Sequence, residues 1–478
     1  MFVGRKDILA DLETLWRKRT SSIVACRGRR RIGKSTLFRE FSRQTADAYI
    51  EIEGLPPSAE MTNQKELDHF AAMLADQTDV EYRSPVRWYE AFSMLERAID
   101  DSKKTVIMLD EISWMGKYDD TFPGVLRSAW ESLFHRHDRL ILVVCGSVSS
   151  WIQKNILNNT GFTGRFSRDY VLPELSLDEC AEFWDRKRNR VDDREIFDVL
   201  SVTGGVPRYL EEIDPSLSAD ENIRRMCFTP NALLRDDFTK IFNVVFGPNA
   251  VMKRRILECL SDGPLSVSEL SESLGVERSG SISDHLDDLE VAGFVAEDAG
   301  IDPSTGRESR RIRYRVSDNY TRFFLRYIQP NARTIDNGSF RFNALETLRG
   351  WEVMLGLQFE NLVVGNLTKL LEKVGFGNAL LKSAAPYRQS ATKRRKGCQV
   401  DLLLQAERKV CVVEIKRKAM IGREVEDEVE QKIRALALGK DVSVRTALVY
   451  AGELSKSVEA DGYFDYLVPV ESLMTSAV

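Results

Sequence analysis

The sequence predicts an α/β multidomain chain: a doubly wound parallel sheet at the front, a helical segment behind it, a three-helix module with a hairpin, and a C-terminal α/β domain. Three observations predict it. Short apolar runs alternate with amphipathic stretches over the first part of the chain. A glycine-rich loop joins one such run to a helix. Near the far end, two apolar runs joined by a polar turn are interrupted by isolated acids.

In order, Ser22-Ile23-Val24-Ala25-Cys26 reads as a buried strand, and Thr36-Leu37-Phe38-Arg39-Glu40-Phe41 has helical periodicity. Between them lies Gly28-Arg29-Arg30-Arg31-Ile32-Gly33-Lys34-Ser35, the pattern G-x-x-x-x-G-K-[ST]. Its glycines let backbone N–H groups wrap phosphates, the lysine reaches the terminal ones, and the hydroxyl ligates magnesium. The helix behind adds a positive dipole end. Gly28 to Thr36 are therefore expected to bind ATP, with Lys34 also catalytic and Mg2+ on Ser35. Thr105 to Leu109 is a second buried run, ending in Asp110 and Glu111. Asp110 is expected to hold magnesium, directly or through water, and Glu111 to polarise the attacking water. A third run, Arg139 to Gly146, ends at Ser147, a residue placed to contact the terminal phosphate or the water, or else to cap a helix.

These residues resemble the AAA+ superfamily, in particular prokaryotic ATPases related to the STAND group. The opening Phe2-Val3-Gly4-Arg5 is similar to the family's F-x-G-R segment, which implies that Gly4 and Arg5 lie near the adenine. Gly164-Arg165-Phe166 looks like the arginine-bearing segment after the sensor strand; Arg165 is then an arginine finger in cis or in trans, or a structural ion pair. Gly204-Gly205-Val206-Pro207-Arg208 is similar to the Gly-Gly-x-Pro turn of the helical lid, which makes Pro207 and Arg208 candidate nucleotide contacts, although such a segment is first a tight turn. The resemblance implies an ATPase core over residues 1–170 and a helical lid over 171–245.

Composition narrows the class. A chain of 478 residues with 43% hydrophobic and 29% charged residues has room for several domains. No apolar run approaches the roughly 18 residues of a membrane span. The ATPase pattern starts at the second residue, so no cleavable leader is expected. Seven scattered cysteines without a C-x-x-C suit a reducing compartment, and the cytoplasm is the expected location. His135 and His137 lack neighbouring ligands for zinc and read as a solvated helix face. A net charge of −5 excludes wholesale coating of nucleic acid, so any such contact must be local.

Residues 246–330 change character. Lys253 to Leu260 is a helix, Ser266 with Glu269 forms a capping box for a second, and Ser279 to Ala292 is a third with Ile282, Leu286 and Leu289 on one face. Gly293 to Ala296 and Arg311 to Val316 then read as two strands around the turn Asp302 to Arg307. This is similar to a winged helix. Its third helix carries Asp284, Asp287 and Asp288, which repel phosphates, whereas Arg307, Arg310, Arg311, Arg313 and Arg315 make the wing basic. Base reading by the helix, backbone contact by Arg311, Arg313 and Arg315, and packing against protein all remain open.

Residues 345–478 carry the second cluster. Cys398-Gln399-Val400-Asp401-Leu402-Leu403-Leu404 and Val410-Cys411-Val412-Val413-Glu414-Ile415-Lys416, with a polar turn between them, predict a β-hairpin. Alternation puts Glu414 and Lys416 on one face, with Asp401 across the hairpin, so the two acids converge on one cation. Lys416 then orients or helps to deprotonate the attacking water and stabilises charge on the reacting phosphate. The competing reading is an ion pair on a strand.

These residues resemble the PD-(D/E)XK nuclease superfamily. The resemblance implies that Glu360 is the acid of the first helix, that Glu360, Asp401 and Glu414 are metal ligands for Mg2+ or Mn2+, and that Gln431, on the helix Glu424 to Leu438, is an accessory residue. Gln399 departs from the pattern, since many relatives have an acid there. The basic stretch Arg388, Lys393, Arg394, Arg395 and Lys396 is a charged loop or a wall for the phosphate backbone.

The whole arrangement is similar to prokaryotic ATPases with C-terminal restriction-endonuclease-like domains. It implies an ATP-hydrolysing switch acting on nucleic acid, DNA before RNA, that cleaves phosphodiesters under nucleotide control; the alternative is a regulatory ATPase whose C-terminal domain only binds nucleic acid or a protein. A homo-oligomer is possible on this reading and a monomer equally so.

Overall fold

The computed structural model describes residues 2–475 except 148, 248–249, 277–279, 304–306, 308–311, 343, 392–395 and 440, and omits the side chains of 149, 150, 186 and 189. The chain divides into two compact units, Met1–Pro173 and Glu174–Val478.

The first unit is built on five parallel strands: β1 (Ser22–Arg27), β2 (Ala48–Glu53), β3 (Thr105–Asp110), β4 (Leu140–Gly146) and β5 (Phe166–Val171), in the order β2-β3-β4-β1-β5. Strands covered on both faces read as continuous apolar runs, which is why β1, β3 and β4 were legible. Alternate residues feed two separate cores. Ile23, Ala25, Ile107, Leu109, Leu142 and Val144 enter one. Val24, Cys26, Val106, Met108, Ile141, Val143 and Cys145 enter the other. Because β4 lies between β1 and β3, the glycine loop, Ser147 and the two carboxylates all leave the same edge of the sheet, the carboxyl ends of parallel strands. His137, read as solvated, is instead buried, with its ring nitrogen 2.6 Å from Asp101.

The second unit begins with helices whose starts are set by capping boxes, Ser176 with Glu179 and Ser218 with Glu221. Three helices follow, Ala250–Leu260, Val267–Leu274 and Gly280–Val291, then the antiparallel hairpin of β6 (Val295–Asp298) and β7 (Arg313–Val316). The Ser266–Glu269 box forms as the sequence predicts. Strand β6 starts later than expected because Phe294 is taken up by an aromatic cluster with Phe238, Phe242 and Phe246.

The C-terminal part has a long helix, Trp351–Gly365, and a mixed sheet of β8 (Ser383–Gln389), β9 (Cys398–Gln405), β10 (Lys409–Ile421), β11 (Ser443–Leu454) and β12 (Tyr466–Pro469), ordered β12-β11-β10-β9-β8. The predicted hairpin is β9 and β10, paired from Val410↔Gln405 to Val413↔Leu402. The helix Glu424–Leu436 makes the crossover to the parallel partner β11, and ends before the expected Leu438 because Ala437 turns left-handed at φ 50°.

One hydrophobic core runs through the helical segment, the winged helix and the C-terminal sheet, from Leu175 to Met474. A buried polar network crosses the same boundaries. Gln358 Nε2 donates to the carbonyls of Ser201 (2.8 Å) and Asn319 (2.7 Å), while Arg322 Nη1 donates to Gln358 Oε1 at 2.5 Å. The segment expected as a separate lid therefore shares its core with the winged helix and the C-terminal domain.

Candidate functional site

At the carboxyl edge of the first sheet, the loop after β1 takes positive φ at Gly28 (149°), Arg31 (71°) and Gly33 (87°). A Cβ on Gly28 would lie 2.8 Å from the Leu172 carbonyl oxygen, so only glycine fits there. Lys34 opens the helix Lys34–Thr45 and returns over the loop: its Nζ donates to the carbonyls of Gly28 (3.0 Å) and Arg29 (3.1 Å). Ser35 Oγ donates to Asp110 Oδ2 at 2.5 Å, which brings a hydroxyl and a carboxylate to one point from β1 and β3. Hard oxygen donors beside a loop of this shape suit a magnesium ion bound with nucleotide phosphates. Ile32 is buried in the core and offers only its backbone to that loop, while the Arg30 guanidinium lies 5.2 Å from the Trp114 ring centroid. Thr36 is exposed on the first turn of the helix.

Glu111 is 6% exposed and left-handed at φ 47°. Both of its carboxylate oxygens accept from Ser147 Oγ at 2.8 Å, and one also accepts from Ser147 N at 3.1 Å. Ser147 thus engages the glutamate expected to act on water. Glu53, not singled out in the sequence, sits opposite Asp110 in the register. Burial, and then the charges of Asp110 and Glu111, raise its carboxyl above the ordinary range.

Other candidates of this unit lie elsewhere. Arg5 turns left-handed after Gly4 and donates to the Pro173 carbonyl at 2.5 Å. Arg165 pairs with Glu131 and precedes Phe166, which is level with Ile23 at the far end of β1 from the glycine loop. A strand of that length spans about 17 Å, so within this unit Arg165 does not face the phosphate loop. The structural ion pair is what its surroundings provide.

In the second unit, Asp401 on β9 and Glu414 and Lys416 on β10 come together as the alternation predicts. Asp401 Oδ2 accepts from Ile415 N at 2.8 Å, and Lys416 Nζ lies 2.9 Å from Glu414 and 2.8 Å from Glu428. Glu414 is 0% exposed. Lys432, one residue beyond Gln431 and missed in the sequence, pairs with Glu414 and stands 3.9 Å from Asp401. Burial, then Glu414, pushes Asp401 up to about 6; burial, then Asp401, pushes Glu360 up to about 7. Burial works against the charge of Lys416, but Glu414 and Glu428 outweigh it and hold its pKa above the ordinary lysine value. Lys416 is therefore an ammonium at neutral pH, able to stabilise negative charge but not to take a proton from water. Among the described residues no three His, Cys, Asp or Glu side chains are grouped to hold a metal ion, so Glu360, Asp401 and Glu414 are not assembled as a ligand triad. Lys432 sets an ammonium against Glu414 and within 3.9 Å of Asp401 instead.

Two of the wing arginines, Arg313 and Arg315, are turned onto partners within the unit, which is the packing that the sequence left open beside contact with a nucleic-acid backbone. Arg313 pairs with Glu269; Arg315 Nε lies 2.9 Å from Asp298 and its Nη1 donates to Asn361 Oδ1 at 2.5 Å. Arg311, Lys393, Arg394 and Arg395 lie outside the described residues. Pro207 begins a short helix after a turn clasped by Glu174, whose carboxylate accepts from Gly205 N at 2.8 Å, and Arg208 is paired with Glu212 at 2.7 Å.

Residues 2–213 match an ATPase domain predominantly from Archaea, and residues 252–297 match a bacterial regulatory protein of the arsR family. An uncharacterized protein of Methanocaldococcus jannaschii is 24% identical over 438 residues, 89% of each chain. Among solved structures, a Walker-type ATPase of Pyrococcus abyssi aligns with a TM-score of 0.48 at 15% identity, over 68% of this chain and 96% of its own. The ORC2 protein of Aeropyrum pernix, in its ADPNP–ADP complexes, aligns at 0.43 and 12%, over 70% and 94%. The match over residues 2–213 and the loop geometry agree: the first unit is a P-loop ATPase domain. The second unit contains a winged helix and a C-terminal sheet domain. No helix among the described residues is long and apolar enough to cross a membrane.

Proposed function

We propose that the chain is an ATP-hydrolysing switch that acts on nucleic acid, DNA before RNA, and that its C-terminal domain is a PD-(D/E)XK-like phosphodiesterase controlled by the nucleotide state of the first unit. In the ATPase site, Lys34 holds the terminal phosphates, Ser35 and Asp110 hold the magnesium ion that neutralises them, and Glu111 activates water once it leaves Ser147. The winged helix supplies the DNA-docking module.

The observation that carries the nuclease reading is the convergence of Asp401, Glu414 and Lys416 from adjacent strands, with Glu414 fully buried. The two carboxylates are hard oxygen donors and suit Mg2+ or Mn2+, provided Lys432 gives way. Such an ion, held by Asp401 and Glu414, would polarise a phosphodiester; Lys416 stabilises the charge that develops on it. The prior claim of Lys432 favours the second reading, a regulatory ATPase that binds without cutting.

Incubation of the native chain, Asp401→Ala and Lys34→Ala with single- and double-stranded DNA and RNA, in Mg2+ or Mn2+, separates the two. Cutting lost in both variants supports control by nucleotide; cutting lost only in Asp401→Ala means a nuclease that runs without ATP. No cutting by the native chain on any substrate leaves the binding-only reading.

A further inference from the structure

A cavity in the second unit opens between the wing and the C-terminal sheet, lined by Arg313 and Arg315 of β7, Arg388 of β8, and Glu360 and Asp401. Docking of the hairpin onto the sheet creates it: Gln405 Nε2 donates to the Ile301 carbonyl at 2.7 Å, and Arg315 reaches Asn361 on the long helix. The charges along its walls are unevenly matched. Arg313 has Glu269 and Arg315 has Asp298. Glu360 is within electrostatic reach of Arg315 and Arg322, and Asp401 is engaged by Ile415 N and Lys432.

Arg388 is the exception. Its one hydrogen-bond partner among the described residues is the neutral amide of Gln399, with Nη2 2.6 Å from Oε1, and no described carboxylate forms an ion pair with it. Burial, and then the like charge of Arg313, lower its hold on its proton, while the more distant Glu269 works the other way. A carboxylate at position 399 would have neutralised this guanidinium; glutamine orients it and leaves its charge for something else. Arg388 and Arg313 line the same cavity and share one carboxylate, Glu269, which among the described residues is ion-paired to Arg313 alone, so positive charge is left over for an anion.

We propose that this cavity binds a phosphate group, with Arg388, Arg313 and Arg315 as its holding side chains, so that the wing hairpin also serves as a substrate clamp for the C-terminal domain. The assignment deepens the nuclease reading by giving that domain its phosphate contact, yet it stands on the arginines and is tested apart from cleavage.

Lys34→Ala silences the phosphate loop and serves as the background. In it, inorganic phosphate is titrated by 31P line broadening, and 5′-phosphorylated and unphosphorylated single-stranded oligonucleotides by fluorescence anisotropy. Arg388→Gln is expected to weaken binding about ten-fold and to lower the salt dependence by about one counterion. Arg313→Gln should act in the same direction, and Arg388→Lys should recover part of the loss. Arg333→Gln, exposed in a different part of the unit, should change nothing, and melting temperatures report that each variant is folded. Competition by inorganic phosphate means that a free or terminal phosphate is recognised; oligonucleotide binding without such competition means a backbone phosphodiester. Unchanged affinity for both probes in Arg388→Gln and Arg313→Gln overturns the proposal. A chain that binds oligonucleotide through Arg388 but cuts nothing overturns the nuclease reading and leaves the phosphate site standing.

Discussion

At the scale of single residues, the two candidate sites differ in how their charges are compensated. In the ATPase site the groups hold short contacts that nucleotide or metal can replace, Lys34 with two loop carbonyls and Ser35 with Asp110. Glu111→Gln keeps the size and the contact with Ser147 but removes the base; ATP affinity should persist while turnover falls about 100-fold or more, as measured by nucleotide binding and phosphate release. In the C-terminal site, burial sets the chemistry. Glu360 and Asp401 have folded-state pKa values of about 7 and about 6, raised above their unfolded values of about 4. A carboxyl raised in this way stabilises the fold fully below its unfolded pKa, and the contribution is lost as pH rises through the folded value. Without divalent ions, the melting temperature of the second unit should therefore fall between about pH 5 and pH 8. Mn2+ at the upper end should restore part of it, and Glu360→Gln should flatten the slope; a native profile that is level across this range contradicts the assignment.

At the scale of elements, the decisive feature is the long helix Trp351–Gly365, which carries Glu360 on one side and Gln358 and Asn361 on another. Gln358 is 0% exposed and ties this helix to the helical segment and the winged helix. Arg322 depends on it: fully buried, with burial pushing its pKa down to about 9, it has the Gln358 amide oxygen and the Val316 carbonyl as acceptors. Gln358→Leu takes one of the guanidinium's two acceptors and removes the donor from two carbonyls. The expected cost is about 3–5 kcal/mol, read from the shift of the urea midpoint. Arg322→Met in the same chain should recover part of that loss, because a removed charge costs less than an unpaired one. The hairpin of β6 and β7 follows the same logic, since Arg313 and Arg315 find carboxylates and amides within the unit before they find solvent.

At the scale of the molecule, one core of the second unit runs through all three expected modules, and a second, on the other face of the C-terminal sheet, packs the helix Glu424–Leu436. The unit's thermal or denaturant unfolding should show a single transition, with no separate step for residues 174–245, 246–330 or 345–478, followed by an aromatic fluorescence probe and by circular dichroism together. Distinct, non-coincident steps would mean that the shared core does not couple them. Nucleotide control, as proposed, then acts on this unit as a whole, and ATP and ADP should shift oligonucleotide affinity in the native chain but not in Lys34→Ala.

The phosphate loop, its flanking strand and helix, the acids after β3 and the β9–β10 hairpin were legible because each is written within a few neighbouring residues: backbone freedom at glycine, apolar runs, period-two alternation. The capping box at Ser266 was legible for the same reason, and those at Ser176 and Ser218, equally local, were not singled out. What lay beyond the sequence was which charges meet. Lys432 on Glu414, Ser147 on Glu111, Glu131 on Arg165, and the inward turn of Arg313 and Arg315 all join segments far apart in the chain. Composition records that such charges exist; only tertiary packing, by removing water from them, decides which must be neighbours.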